Sequence, residues 1–136
     1  MPQPEFRVRV TAEATVRQSE DPAKVKAAVA NILGECSHEV EEGPRVVRMT
    51  SVDNASLRLL RDQLRDRHVR AAARKLLMVG RQGSKSTLMF NRQAAYAGVL
   101  ALCGSESESP LGPIYLTIDS KELDDVIEWL TAYESG

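Results

Sequence analysis

From Phe6 to Val16 the chain alternates: Phe6, Val8, Val10, Ala12, Ala14 and Val16 are apolar, while Arg7, Arg9, Thr11, Glu13 and Thr15 are polar. A period of two predicts a strand with one buried and one wet face, as in an antiparallel sheet. The period then lengthens. Val25, Ala28, Val29, Ile32 and Leu33 recur at helical spacing, behind Asp21 as N-cap and Pro22 at the first helical position, with Gly34 as the stop. Cys36 to Glu42 reads as a second strand, with Cys36, His38 and Val40 on one side. Gly43-Pro44 is a turn, and Arg45 to Thr50 returns as a third strand.

Leu57, Leu60 and Leu64 make the apolar stripe of a second helix, capped by Asp53, Asn54 or Ser56. A bend at Arg67-His68 separates it from a third helix that buries Val69, Ala72, Ala73, Leu76 and Leu77. Gly80 to Lys85 reads as a flexible turn and Ser86 to Phe90 as a strand. Asn91 caps a short helix that ends at Gly98, and Val99 to Cys103 reads as another strand. Gly104 to Ser109 is a Ser/Glu loop with nothing local to order it. Pro110-Leu-Gly-Pro113 turns into a last strand through Ile114, Leu116 and Ile118. Asp119 or Ser120 caps a final helix, with Glu122 placed for a capping box and Leu123, Val126, Ile127 and Leu130 facing inward. These elements predict an α+β fold in one domain over residues 1–136. Its antiparallel or mixed sheet has about five or six strands, with helices packed on one face.

Composition adds three constraints. Aromatic residues are 4% of the chain, so the core is aliphatic and platforms for stacking bases are few. Cys36 and Cys103 read as free thiols of a reducing compartment. With a polar N-terminus and no apolar run near the ~20 residues of a membrane helix, the expected location is the cytoplasm, without a membrane partner. The net charge of −1 hides a segregation. Arg58 to Arg92 holds ten Lys/Arg against two acids, or +8; the remainder holds eight basic and seventeen acidic residues, or −9. Such a basic block attracts phosphate even on a near-neutral protein.

Ser86-Thr-Leu-Met-Phe-Asn-Arg-Gln-Ala-Ala95, Gly98 and Pro110-Leu-Gly-Pro-Ile114 resemble an archaeal family, uncharacterised protein family 0201. The opening strand with Glu20-Asp-Pro-Ala-Lys-Val25, and the broken helix from Leu57 to Leu77, extend the resemblance over nearly the whole chain. It implies a fold similar to the large-subunit ribosomal protein that binds five-S RNA. It also implies an RNA-binding or exosome-associated role, assigned to the family through that fold. It carries no catalytic residue.

Several constellations fail as chemistry. Gly80 to Thr87 lacks the Gly-Lys step of a phosphate loop, and it runs from helix to strand rather than strand to helix. Cys36, His38 and Cys103 are one ligand short of a structural zinc site. His68 has no local nucleophile to activate. Asp124, Asp125 and Glu128 fall on the solvated face of the last helix. No enzyme, cofactor or metal is therefore expected. The basic block is the candidate site: Arg67, Arg70, Arg74 and Lys75 on the third helix, Arg81 and Lys85 on the turn, and Arg92, with guanidinium forks suited to phosphate oxygens. The expected partner is RNA or a ribonucleoprotein. The alternative is a structural or protein-interaction module, a homodimer or one bound to an acidic partner. RNA binding predicts that Arg67, Arg70, Arg74, Arg81 and Lys85 converge on one exposed surface. If they scatter, or pair with Glu106, Asp124 or Asp125, the RNA reading loses its support.

Overall fold

The alternating segments assemble into a single sheet in a computed structural model that describes residues 4–132. Its strands are β1 (Arg9–Thr15), β2 (Glu39–Glu42), β3 (Val46–Ser51), β4 (Lys85–Phe90), β5 (Leu102–Cys103) and β6 (Ile114–Asp119). Their order is β2-β3-β1-β6-β4-β5, every neighbouring pair antiparallel. The helices are α1 (Pro22–Leu33), α2 (Ala55–Asp66), α3 (Arg70–Val79), α4 (Arg92–Tyr96) and α5 (Leu123–Thr131). Val10, Ala12 and Ala14 of β1, Leu88 and Phe90 of β4, and Leu116 and Ile118 of β6 share one buried cluster with the apolar stripes of α1, α2, α3 and α5. Among the described residues, the opposite sheet face carries no helix.

Local chemistry explains the helix ends. Asp21 Oδ1 accepts from Ala23 N at 3.0 Å, and Gly34 closes α1 at φ +75°. That positive φ is the reason for glycine there; a Cβ would also meet the terminal methyl of Leu59, which can turn aside. Asp53 Oδ1 accepts from Ala55 N at 2.9 Å at the start of α2. Asn54 instead clamps Phe6, accepting from its N–H and donating to its carbonyl, both at 2.9 Å. The bend between α2 and α3 is His68, at φ +57°.

Five expectations differ from the fold. Ala72 is exposed rather than buried, because α3 turns Ala73 and Leu77 inward. The second strand begins at Glu39 rather than Cys36, because Ser37 O accepts from Ser51 Oγ and Cys36 O bonds His38 Nδ1, holding the lead-in as a loop. The fifth strand is two residues, because Val99 N donates to Ala94 O and Leu100 N to Gln63 Oε1. No capping box forms on α5: Glu122 Oε2 accepts from Arg7 N, tying the chain start to α5. The Ser/Glu loop is ordered by tertiary bonds, as a 3₁₀ turn over Glu106–Glu108 held by Tyr115 Oη, Gly104 N and Asn91 Nδ2.

Candidate nucleic-acid interface

The basic block does not converge and Arg81 pairs with Asp124, so the expected common surface of Arg67, Arg70, Arg74, Arg81 and Lys85 loses its support as an RNA site. Three of its arginines turn toward α5. Arg70 Nη1 donates to Ala132 O at 3.4 Å, Arg74 Nη1 pairs with Glu128 Oε2 at 2.7 Å, and Arg81 pairs with Asp124. Asp124 and Glu128 are four residues apart on α5, so one acidic edge faces the basic helix. These acids are exposed, but they act as countercharges for the basic block. Arg65 is likewise paired, with Asp62 and Asp66, and Arg61 stacks over Trp129 at 5.0 Å while its Nε donates to the Trp129 carbonyl. Arg67 and Lys75 are exposed and make no ion pair among the described residues. Arg67 precedes the bend, so it is not on α3 with Arg70 and Arg74.

Lys85 stands on the other side of the molecule, on the open sheet face. Register places it opposite Asp119, and Asp119 opposite Arg9. Beside them Thr50, Thr11, Thr117 and Thr87 form one row across four strands. Their hydroxyls bond in pairs, Thr11 with Thr50 at 3.3 Å and Thr87 with Thr117 at 3.1 Å. The next row carries Glu41, Arg48 and Glu13, with Arg48 held between the two carboxylates. With Glu39 opposite Thr50, acids outnumber cations on this face, so it lacks the positive field that draws a polyanion.

Arg92 is removed from the candidate set by burial. Its side chain is 6% exposed and that of its partner Glu20 is 8% exposed. Nη1 donates to both Glu20 carboxylate oxygens at 2.8 Å and to Thr15 O at 2.7 Å; Nε donates to Gly112 O at 3.1 Å. Ser109 Oγ bonds Arg92 N and Gly112 O. Asn91 Oδ1 caps α4 through Ala94 N. Asn91-Arg92 and Pro110-Leu-Gly-Pro113 thus form two halves of one clasp, which ties the end of β1, the approach to α1 and the loop before β6. A sequence shows a basic residue but not its burial, so Arg92 looked like a surface cation.

Among the described residues, no group of three or more His, Cys, Asp or Glu is placed to hold a metal ion. Cys36 Sγ bonds Leu33 O, and Cys103 is buried, its thiol pushed up by burial and then by Glu108. No helix among those residues is long and apolar enough to cross a membrane.

One titration follows from the loop. Tyr115 Oη donates to Glu106 Oε1 at 2.6 Å. That bond, then burial, then the Glu106 charge push the phenol up from 10 to about 12. The folded state favours the protonated form, so this stabilisation is complete below pH 10 and is lost between 10 and about 12. A ¹³C titration of the tyrosine ring carbons is expected to show Tyr115 ionising near 12, and Glu106→Gln to bring it back toward 10. An unshifted Tyr115 in the intact protein would mean that the loop does not close on the sheet.

Sequence reasoning passed over a cleft between α1 and α4, of about 480 Å³, where Tyr96 is 52% exposed. The available signal was the spacing of Gln93 and Tyr96, three residues apart on a short helix and so on one face.

Comparison with known proteins agrees with this fold. A family model described as RNA binding matches residues 9–120. A UPF0201 protein of Metallosphaera sedula is 43% identical over 125 residues, spanning 91% of this chain and 86% of its own length. One from Methanothermobacter thermautotrophicus is 38% identical over 122 residues, spanning 90% and 89%. The crystal structure of a UPF0201 protein from Methanococcus jannaschii superposes with a TM-score of 0.75 at 24% identity, covering 94% of this chain and 96% of the other. With its sheet, its broken basic helix and its clasp inside the region matched, this chain belongs to the archaeal UPF0201 family.

Proposed function

We propose that this protein binds RNA through phosphate contacts, with little readout of base sequence, and that the contacts come from the α2–α3 bend and the outer side of α3. The observation that carries the reading is the exposed cation set Arg67, Arg74 and Lys75, of which only Arg74 has an acidic partner among the described residues. The family model named for RNA binding supports it. Arg70 and Arg81 are committed to α5, Lys85 serves the opposite face, and Arg92 is internal, so the grip is smaller than the raw charge of +8 suggests. Nothing in the arrangement calls for a reaction.

Fluorescence anisotropy with a single-stranded RNA across a salt series tests this. Arg67 and Lys75, with Arg74 shared with Glu128, give a slope of log affinity against log salt of about −1.5 to −2. Arg67→Glu with Lys75→Glu is expected to flatten that slope below about −1 in magnitude. Glu128→Gln frees Arg74, and should tighten binding and steepen the slope. It should leave stability nearly unchanged, because an exposed pair contributes about 0–1 kcal/mol. A slope that ignores all three substitutions removes α3 as the interface. No binding at the lowest salt removes RNA, and moves attention to a protein partner. For such a partner the contact would be the exposed apolar pair Met78 and Val79 at the end of α3.

A further inference from the structure

We infer that the cleft between α1 and α4 is a nucleobase site, with Tyr96 as its stacking platform; the inference rests on the RNA reading above and gives that RNA a second point of attachment. The cleft, about 480 Å³, lies within the size range of small-ligand pockets. Its walls include the apolar Ala28 and Leu111, the ring of Tyr96, and the polar Ser19, Lys24 and Gln93. An aromatic face among apolar walls with a few polar groups suits a planar heterocycle better than an extended peptide.

The residues of α4 divide by what they do for the fold. Asn91 caps the helix, Arg92 is the centre of the clasp, and Ala95 is fully buried. Gln93 and Tyr96 do none of this. Both are exposed, and the Gln93 amide makes no hydrogen bond among the described residues. An amide presents one acceptor and two donors in a plane, the pattern that matches the edge of a base. Asn31 of α1 holds the backbone on which Tyr96 sits, donating to Ala95 O at 2.9 Å. The platform is therefore fixed before any ligand arrives, which lowers the entropy lost on binding.

Lys24 gives the cleft one cation that could meet a phosphate. The Lys24 ammonium lies 5.9 Å from the centre of the Tyr96 ring, at the outer limit of cation–π attraction. It is weakly held there and can turn to a phosphate while a base takes the ring. Of the acids nearby, Glu20 is consumed by Arg92, while Asp21 accepts from Ala23 N at the α1 cap and keeps its charge at the rim of the cleft. Gln63 of α2 accepts from Leu100 N at 3.4 Å, four residues beyond Tyr96, and Arg67 follows Gln63 by one helical turn. One long-range bond thus links α2, which leads into the bend, to the segment that follows α4.

The test uses the full chain with two probes, a fluorescent single-stranded RNA followed by anisotropy and the free mononucleotides AMP and UMP followed by amide NMR shifts. Tyr96→Ala is expected to weaken RNA binding about 5- to 100-fold, the effect of one lost base stack, without altering the salt slope. Tyr96→Phe should bind like the parent, because the ring and not the hydroxyl is the platform. Gln93→Ala should change the preference between A-rich and U-rich strands. Mononucleotides should shift the amides of Lys24, Gln93 and Tyr96. RNA binding that survives Tyr96→Ala intact, or mononucleotides that leave those amides unmoved, overturns the base site and leaves the phosphate reading standing. Mononucleotide shifts at the cleft in a protein that binds no RNA would uphold the base site and overturn the RNA reading instead.

Discussion

Glu20→Ala is expected to lower the stability of the folded chain by about 3–5 kcal/mol, the cost of leaving a buried charge without its partner. The Arg92 guanidinium is almost wholly enclosed, and Glu20 alone supplies its countercharge, through two bonds of 2.8 Å. Truncating Glu20 also removes the acceptor for Arg17 N. The remaining partners of Arg92, Thr15 O and Gly112 O, are neutral and cannot replace a carboxylate. For a chain of this length the loss corresponds to a fall in Tm of about 10–15 °C. Urea unfolding would show a lower midpoint at an unchanged m-value. The double variant Glu20→Leu with Arg92→Met removes both charges, yet is expected to recover only part of the loss, because Thr15 O and Gly112 O then lose their donor. If Glu20→Ala stayed within about 1 kcal/mol of the parent, Arg92 would have to reach water, and the clasp would not be what joins β1, α1 and the loop before β6. Removing Glu128 from its exposed pair with Arg74 is the control, at about 0–1 kcal/mol.

Phe90→Ala should cost a comparable amount, about 3–5 kcal/mol, through a different term. Phe90 is fully buried, and ends β4 opposite Leu102 on one neighbour and Ile114 on the other. It is one of two phenylalanines in the chain. The aliphatic neighbours around it belong to a close-packed cluster and can only partly fill the space left. Phe90→Leu keeps most of the volume and is expected to lose less than about 1.5 kcal/mol. Denaturant unfolding of the two variants separates volume from aromaticity. Equal losses would assign the effect to the ring itself, and a loss under about 1 kcal/mol for alanine would show that α4 and β5 settle into the gap.

The two large effects divide neatly over what a sequence displays. The period-two runs, and the stripes Val25 to Leu33, Leu57 to Leu64 and Leu123 to Leu130, disclosed the strands, the helices and most of the core, because burial imposes those periods directly on residue type. Phe90 belongs to that class. The cap at Asp21-Pro22, the stop at Gly34 and the bend at His68 were legible for the same reason, since each answers a local backbone requirement. The candidate site was less legible. A run of ten cations is visible as composition, but direction is not. Arg74 and Arg81 meet α5, Lys85 crosses to the open face because strands alternate, and Arg92 goes inside because a carboxylate 72 residues earlier in the chain receives it.

The same limit set where the ends of elements fell. Cys36 to His38, Val99-Leu100 and Glu106 to Glu108 have local patterns that read as strand, strand and open loop. In each case a partner outside the segment, 9 to 37 residues away, claimed backbone or side-chain hydrogen bonds. By itself the sequence determined an α+β chain with a half-wet sheet, an aliphatic core and a basic middle, because alternation, capping and composition act over a few residues. Only the tertiary structure decided which cations stay free, that Asn91-Arg92 and Pro110 to Pro113 serve one clasp, and that Gln93 and Tyr96 are left facing a cleft, because ion pairing and burial depend on residues brought together from distant parts of the chain.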